Sequence, residues 1–178
     1  VDDGLLSLDD TLEQHLPGVH ARGGEIQLDM LLQHTAGIPG FLSTPEAQVE
    51  PERAWTEDEL FALVADLPLL HEPGTSYSYS NTHFALLARV AESAAGAPWR
   101  QLVSERLLTP LGLTETRVPA LGAGWGDVVD TWYGGAAFPV ITHPQAISAA
   151  GNFVSTAGDV ARWGQARFGG GLHSDAMM

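Results

Sequence analysis

Tyr79, Ser80 and Asn81 place a phenol and a carboxamide side by side at the predicted start of a helix. A Pro-Gly turn at residues 73–74 leads through a segment rich in aromatic and hydroxyl side chains into this tripeptide. Beyond it, apolar residues recur at helical spacing towards Gly96, which predicts a helix that begins at Ser80 and Asn81. A phenol can move a proton, but its reference pKa of about 10 makes it a poor base near pH 7 unless nearby cations stabilise the phenolate. The recurring apolar residues are Phe84, Leu87, Ala88, Ala91 and Ala95.

The same tripeptide also has a purely structural interpretation. Ser80 would be the N-cap of the helix, Tyr79 would pack just outside it, and Asn81 would lie in the first turn. For an isolated match of three residues this is the simpler interpretation. Tyr79-Ser80-Asn81 is the only Tyr-x-Asn in the sequence, and the surrounding sequence decides between the two interpretations.

Residues 73–92 resemble the second motif of the penicillin-recognising serine hydrolases, the superfamily of class C β-lactamases, D-Ala-D-Ala carboxypeptidases and related esterases. Three other segments resemble the same family, in the order in which the family has them. They are residues 4–10 followed by 16–18, residues 26–38, and residues 150–159. The resemblance covers most of the chain, and the four motifs in this order are jointly specific.

The resemblance implies a role for each member of the tripeptide. Tyr79 would be catalytic and would relay a proton to the leaving group, while Asn81 would bind the substrate by orienting its amide, or would orient a catalytic lysine. The Ser80 side chain would cap the helix instead. Tyr79 and Asn81 should then point into a concave surface that the 34–37 loop or the 150–151 segment also reaches.

The chain contains no lysine, because all eight of its basic residues are arginine. The first motif of the family, Ser-x-x-Lys, supplies the nucleophile and its activating base, so it cannot lie in these residues. The third motif, a Lys or His followed two residues later by Gly, is not found in residues 171–178 either. We therefore expect residues 1–178 to be a single helical domain, an internal fragment of a larger two-lobe α/β hydrolase that is catalytically incomplete as given.

The function implied by the resemblance is that of a serine hydrolase that acts through an acyl-enzyme. Its substrates would be β-lactams, D-Ala-D-Ala peptides, amides or esters, and this chain alone would be inactive. The alternative is a non-catalytic helical binding module derived from the same fold. A Ser-x-x-Lys motif shortly upstream of Val1 would distinguish the enzyme from the module.

The composition limits the partners. A net charge of −14 and a pI near 4.6 oppose binding to nucleic acid, and we expect a small-molecule or peptide substrate instead. No apolar run approaches the length of a membrane span, and residues 1–4 lack the features of a signal peptide. The absence of cysteine fits an extracytoplasmic or a cytoplasmic location equally.

No metal or cofactor is predicted. The seven histidines include no His-x-x-x-His or His-Glu-x-x-His pair. The glycines of residues 122–135 do not form a phosphate loop or a dinucleotide fingerprint.

Start and stop signals predict the remaining helices. Asp9 or Asp10 should cap a short helix that ends near residue 16, and a second should span residues 27–34 with Gly37 as its left-handed cap. Residues 41–55 should be irregular, and Thr56 with Glu59 forms a capping box.

The C-terminal half is expected to be looser. Residues 119–145 should form a long loop with at most one short hairpin, whose aromatic residues could line a cleft or simply pack. Ser155 or Thr156 should cap a last helix, with Asp159 near its third position. The loop aromatics are Trp125, Trp132, Tyr133 and Phe138, and the apolar face of the last helix comprises Val160, Trp163 and Phe168.

The predicted fold class is mainly α, with long loops and at most short strands. In the family that the chain resembles, this is the helical lobe, and the sheet comes from other sequence. We expect apolar surface around residues 5–8 and 153–154 where the sheet would pack, and hence possible self-association through this face.

Overall fold

The structure, a computed structural model, describes residues 1, 3–129, 131–133, 136–138 and 142–169. Within these residues the chain is mainly helical, which confirms the predicted fold class. The α-helices are α1 Leu12–His15, α2 Leu28–Leu32, α3 Pro45–Val49, α4 Glu57–Ala62, α5 Asn81–Ala95, α6 Trp99–Val103, α7 Pro144–Ile147 and α8 Ala157–Phe168. Single turns of 3-10 helix span Gly23–Glu25, Phe41–Ser43 and Ser148–Ala150, a π-helical turn spans Ser104–Leu108, and the strands are β1 Thr131–Tyr133 and β2 Ala136–Phe138.

The longest helix in the described part of the chain is α5, which packs against α1, α2 and α6. Its existence and extent were predicted, and Gly96 ends it in the left-handed conformation, with φ of 66°. Its inward face was not predicted correctly. Of the apolar residues used to predict the helix only Ala88 is buried, and Phe84 is 38% exposed. The buried residues of α5 are Thr82, His83, Ala85, Leu86, Ala88 and Val90.

The hydrophobic core lies between α5 and the helices that precede it in the chain. Its buried side chains come from α1, α2, α4 and α5, from the segments between them, and from Ala146 of α7. The fully buried apolar members include Leu12, Ile26, Leu31, Ile38, Phe41 and Leu60. Because Ala85 and Leu86 belong to this core, it fixes the position of the first turns of α5.

The predicted capping box of α4 is present. The Thr56 hydroxyl accepts a hydrogen bond from the Glu59 N–H at 3.2 Å, and the Glu59 carboxylate accepts from the Thr56 N–H at 2.8 Å. The prediction that residues 41–55 are irregular was wrong in part. Thr44 caps a short helix with Pro45 as its first residue, a position that suits proline because no N–H is needed there.

The predicted N-cap of α1 was also wrong. Thr11 is the N-cap, and the Gln14 side chain accepts from its N–H. Asp10 instead accepts a hydrogen bond from the N–H of Ser7 at 2.8 Å, in the turn before the helix. Aspartate and threonine both favour caps, so the sequence alone did not choose between adjacent candidates.

α8 is anchored by a buried carboxylate. Of the two predicted caps, Ser155 and Thr156, the cap is Thr156, because its hydroxyl accepts from the Asp159 N–H at 3.3 Å. The Asp159 side chain, 0% exposed, accepts from the Glu115 N–H at 2.9 Å and from the Thr116 hydroxyl at 2.8 Å, and it pairs with Arg162. These bonds tie α8 to residues 115–116.

The predicted short hairpin is present as β1 and β2, which pair antiparallel. The Trp125 indole N–H donates to the Thr142 carbonyl at 2.8 Å, so this side chain connects the segment before the hairpin to the segment after it. The prediction for Trp132, Tyr133 and Phe138 concerns side chains that lie outside what the structure describes.

An apolar surface, formed by Phe153, Val160 and Trp163, lies exposed beside α8. These side chains are 41%, 59% and 38% exposed, and they line a cavity of about 300 Å³ together with residues of the 103–108 segment. We call it the α8 surface. The predicted apolar face of the last helix therefore exists and is uncovered.

The other predicted apolar surface is smaller. Leu5 is 50% exposed, whereas Leu6 and Leu8 are partly buried. Among the helices that the structure describes, none combines the length and the apolarity needed to cross a bilayer.

Candidate functional site

Tyr79 and Asn81 are joined by a hydrogen bond at the N-terminus of α5. The Tyr79 hydroxyl donates to Asn81 Oδ1 at 2.8 Å, and Tyr79 is 61% exposed. The phenol therefore lies at the surface and is not buried in the helical core. The bond uses the carboxamide oxygen of Asn81, so the NH₂ group of the same side chain is left to donate elsewhere.

Ser80 does not cap α5 with its side chain, contrary to expectation. Its backbone has the extended conformation of an N-cap, with φ of −148° and ψ of 125°, but the hydroxyl makes no cap hydrogen bond. The first turn is closed instead by the His83 N–H, which donates to the Ser80 carbonyl at 3.2 Å. The Ser80 hydroxyl is buried and finds no hydrogen-bond partner within the described residues.

The 34–37 loop, which contacts the Tyr79-Ser80-Asn81 segment, begins at His34, directly after α2. The His34 N–H donates to the Leu31 carbonyl at 3.3 Å and the Thr35 N–H donates to the Met30 carbonyl at 2.8 Å, the two bonds of a Schellman motif. The left-handed residue of this motif is His34, with φ of 58°, and not Gly37 as predicted. Gly37 is also left-handed, at 79°, but it lies further along the loop.

His34 holds both neighbours of Tyr79. The Ser78 N–H donates to the His34 carbonyl at 2.9 Å, and the Ser80 N–H donates to His34 Nδ1 at 3.3 Å. The imidazole and phenol rings of His34 and Tyr79 lie 4.6 Å apart between centroids. The expected approach of the 34–37 loop to Tyr79 is thus made by His34.

His83 lies buried in α5 below His34. Their rings are 5.3 Å apart and stacked, with 3.2 Å between the two Nδ1 atoms. Burial, and then the neighbouring His34, lowers the pKa of His83 to about 4. Burial also lowers the pKa of His34 below its ordinary value of 6.5. Both imidazoles are therefore neutral at pH 7.

The concave surface expected around Tyr79 and Asn81 stays a prediction. Three cavities in the described part of the chain are lined by residues other than Tyr79 and Asn81. The turn that ends at Ala150 packs against α5, but no hydrogen bond or ring contact among the described residues joins Tyr79 to Ala150 or Gly151. The pair lies on an open face of the chain, and its catalytic role stays a prediction.

Sequence reasoning missed His34 and His83 as members of the site. His34 lies within the 26–38 segment that was singled out, but nothing in that segment indicates contact with a residue 49 positions later. The one available signal was His34 at the end of α2, where glycine or asparagine would be usual.

The part of the chain that the structure describes holds no group of three or more side chains placed to bind a metal.

The Beta-lactamase family model matches residues 1–178. The chain belongs to this family.

Individual relatives agree with this assignment. A D-stereospecific amidohydrolase from a Streptomyces species superposes with a TM-score of 0.85 at 28% identity, over 98% of this chain and 57% of its own. Penicillin-binding protein 4* of Bacillus subtilis (strain 168) is 28% identical over 117 residues, which are 65% of this chain and 26% of that protein. The D-alanyl-D-alanine-carboxypeptidase/endopeptidase AmpH of Escherichia coli (strain K12) is 31% identical over 121 residues, 65% of this chain and 31% of that protein. The chain thus spans little more than half of the matched structure and under a third of the two curated relatives.

Proposed function

We propose that this chain supplies the Tyr-x-Asn part of the active site of a serine hydrolase that acts through an acyl-enzyme. Tyr79 moves the proton, and Asn81 orients the substrate. The observation that carries the proposal is the exposed Tyr79 hydroxyl bonded to Asn81 Oδ1 at 2.8 Å, at the start of the helix around which the core is built.

The chemistry assigns a separate task to each group. When a serine hydroxyl attacks the carbonyl carbon of an amide or ester, it loses a proton, and the leaving amine or alcohol gains one. A phenol beside the serine oxygen and the leaving nitrogen or oxygen can relay that proton, and it does so efficiently only where cations stabilise the phenolate. The NH₂ group of Asn81 is left to donate to the carbonyl of the substrate amide and hold it in place.

In this proposal the nucleophile and the cation come from outside residues 1–178. The chain has no lysine, so it has no Ser-x-x-Lys. We propose that residues 1–178 form one helical domain of a larger two-lobe hydrolase and that the chain alone is inactive. In its support, the chain aligns with only 57% of the matched amidohydrolase structure.

The substrate class is proposed as amides, esters, D-Ala-D-Ala peptides or β-lactams. The names of the relatives, which include an amidohydrolase, a penicillin-binding protein and a carboxypeptidase, support this range. An assay panel with one compound of each kind is therefore the appropriate first screen.

The decisive experiment is intact-mass spectrometry after exposure to a labelled penicillin. It is run on the 178-residue chain and, in parallel, on a protein that carries this chain together with a Ser-x-x-Lys segment. We expect no adduct on the chain alone, because removing the nucleophile leaves only binding and oriented dipoles. We expect one adduct per molecule on the longer protein.

Two other outcomes would be informative. A stoichiometric adduct on the 178-residue chain would show that the nucleophile lies within it. No adduct and no hydrolysis across the panel for either protein would favour a non-catalytic binding module, which the absence of lysine already makes the second candidate.

A further inference from the structure

His34 ends α2 in the left-handed conformation, and ending a helix in this way does not require a histidine side chain. Its φ of 58° lies in the left-handed region, where glycine is free of the Cβ clash that any other residue meets. The Schellman bonds that end α2 use main-chain groups only. A strained residue at such a position is a reason to look for a use of its side chain.

The imidazole of His34 is surrounded by the groups of the candidate site. Its Nδ1 lies 3.3 Å from the Ser80 nitrogen and 3.2 Å from His83 Nδ1, and its ring contacts Tyr79. The residue's carbonyl accepts from the Ser78 N–H. Tyr79 is therefore bracketed on both sides by hydrogen bonds to a single residue.

These contacts determine where the protons are. A backbone N–H can only donate, so Nδ1 of His34 must carry the lone pair that receives the Ser80 N–H. Neutral His34 consequently carries its own proton on Nε2. With the proton of His34 on Nε2, a hydrogen bond between the two rings requires the proton on His83 Nδ1, and the single lone pair of His34 Nδ1 is shared by the two donors.

We propose that His34 is a positioning residue that holds the backbone on either side of Tyr79 and thereby aligns Tyr79 and Asn81, and that protonation of His34 at Nδ1 releases this hold. A proton on Nδ1 removes the acceptor of the Ser80 N–H and faces the Nδ1–H of His83 directly. For catalysis, the inference rests on the proposed function.

The surroundings of His34 favour its neutral form at pH 7. The titratable groups that face it are Tyr77 and Tyr79 from the segment before α5 and His83 from α5 itself, with His71 acting on His83 from the 69–74 loop. Among the described residues, no carboxylate forms an ion pair with His34, His71 or His83. Burial lowers the pKa of His34, so its release is expected below pH 6.5.

The first test is the tautomeric state of the imidazoles, read from ¹⁵N chemical shifts of the histidine rings of the 178-residue chain at pH 7.5. We expect an Nδ1–H tautomer for His83 and an Nε2–H tautomer for His34. An Nδ1–H tautomer for His34 would overturn the proposal, because its Nδ1 could not then accept from the Ser80 N–H.

The second test uses two variants that separate the acceptor from the ring. H34N keeps an acceptor at the δ position, tolerates the left-handed conformation and cannot titrate in this range. H34F keeps an aromatic ring against Tyr79 but has no acceptor. The Asn81 side-chain amide and Tyr79 ring signals are followed from pH 7.5 to pH 4.5, with H15N as the control, since His15 pairs with Asp10 away from the site.

The expected results differ between the variants. In the wild type and in H15N the Asn81 and Tyr79 signals should shift together as His34 titrates. In H34N they should stay at their wild-type pH 7.5 positions throughout, and in H34F they should be displaced at every pH. Signals that titrate alike in H34N and the wild type would overturn the proposal. If H34F does not fold, H34N and the tautomers decide the question.

Activity provides a separate measurement on the longer protein with a Ser-x-x-Lys segment. We expect the acid limb of kcat to disappear in H34N and kcat to fall about tenfold or more in H34F, with less effect on KM. If the wild type hydrolyses nothing, the proposed function fails, while the NMR result on positioning still stands.

Discussion

The Tyr79 hydroxyl is exposed, and its one hydrogen bond within the described residues goes to Asn81, so a substitution there removes little else. In the longer protein, Tyr79→Phe should lower turnover by about two orders of magnitude or more, the size of a typical acid–base contribution. The melting temperature should be unchanged, since no buried group is lost. Steady-state kinetics and thermal unfolding measure both effects.

Tyr77 provides the matched control for this variant. It is 67% exposed, lies near His34 with 5.9 Å between ring centroids, and has no bond to Asn81. Tyr77→Phe should leave turnover within about twofold. Equal losses in both variants would count against the assignment of the proton relay to Tyr79.

His83 makes stability depend on pH. Its folded-state pKa of about 4 lies below its ordinary value of 6.5, so between these two values the unfolded chain binds more protons. The contribution of neutral His83 to the free energy of unfolding is full above pH 6.5 and is lost as the pH falls towards 4. Lowering the pH from 7 to 5 should therefore reduce the free energy of unfolding by about 2 kcal/mol through His83.

Urea denaturation of the wild type and of His83→Asn at the two pH values tests this. Asparagine can keep a donor at the δ position but has no proton to gain. In His83→Asn, the free energy of unfolding should differ much less between pH 7 and pH 5 than it does in the wild type. An unchanged difference would mean that other groups, such as the buried His20, control the acid response.

At the scale of elements, α8 depends on Asp159. Burial raises the pKa of this carboxyl, but the Thr116 hydroxyl, the Glu115 N–H and Arg162 outweigh that effect and hold the pKa below its ordinary value. Its stabilisation is thus present above the ordinary pKa near 4 and is lost as the pH falls below it.

Asp159→Asn should therefore loosen α8 at neutral pH. An amide keeps one acceptor but loses the charge that Arg162 and the two donors bind. Hydrogen exchange should accelerate in α8 and not in α5. Asp127→Asn is the control, because Asp127 is 98% exposed and pairs with Arg117 at the surface. Equal protection in both variants would disprove the anchoring role.

Prediction of the elements succeeded where the determinants were local. The Thr56 capping box and the hydroxyl cap at Thr156 each depend on residues three apart, and both were predicted from spacing. The inward face of α5 and the left-handed residue after α2 were not. Both depend on which distant segment packs there, and periodicity does not carry that information.

At the scale of the whole molecule, the α8 surface is the feature most open to association. Phe153, Val160 and Trp163 expose contiguous apolar area beside a cavity. We expect the 178-residue chain to self-associate with rising concentration and to bind a hydrophobic dye. Val160→Asp should reduce both, and sedimentation velocity over a concentration series measures the first.

The control for this variant is Val129→Asp, since Val129 is 85% exposed and lies outside the α8 surface. It should associate as the wild type does. A wild-type chain that stays monomeric at every concentration and binds no dye would refute the expectation and indicate an independent domain.

The overall class and the tripeptide were accessible from the sequence, because four ordered motifs and one strongly periodic helix carry them. The geometry that supports the tripeptide was not. The contact between His34 and His83 joins residues 49 positions apart, and only the packing of α2 against α5 brings them together. The same holds for Asp159, whose partners lie 43 and 44 positions earlier in the chain.

The left-handed conformation of His34 has a consequence for evolution at this position. Glycine would relieve the strain but would leave the Ser80 N–H and the His83 Nδ1–H without an acceptor. Asparagine would satisfy both demands at least in part. A library randomised at position 34 and selected only for folding should therefore tolerate asparagine best, and selection for turnover should exclude glycine more strongly still. We therefore expect sequence drift at this position to be confined to side chains with an acceptor at the δ atom.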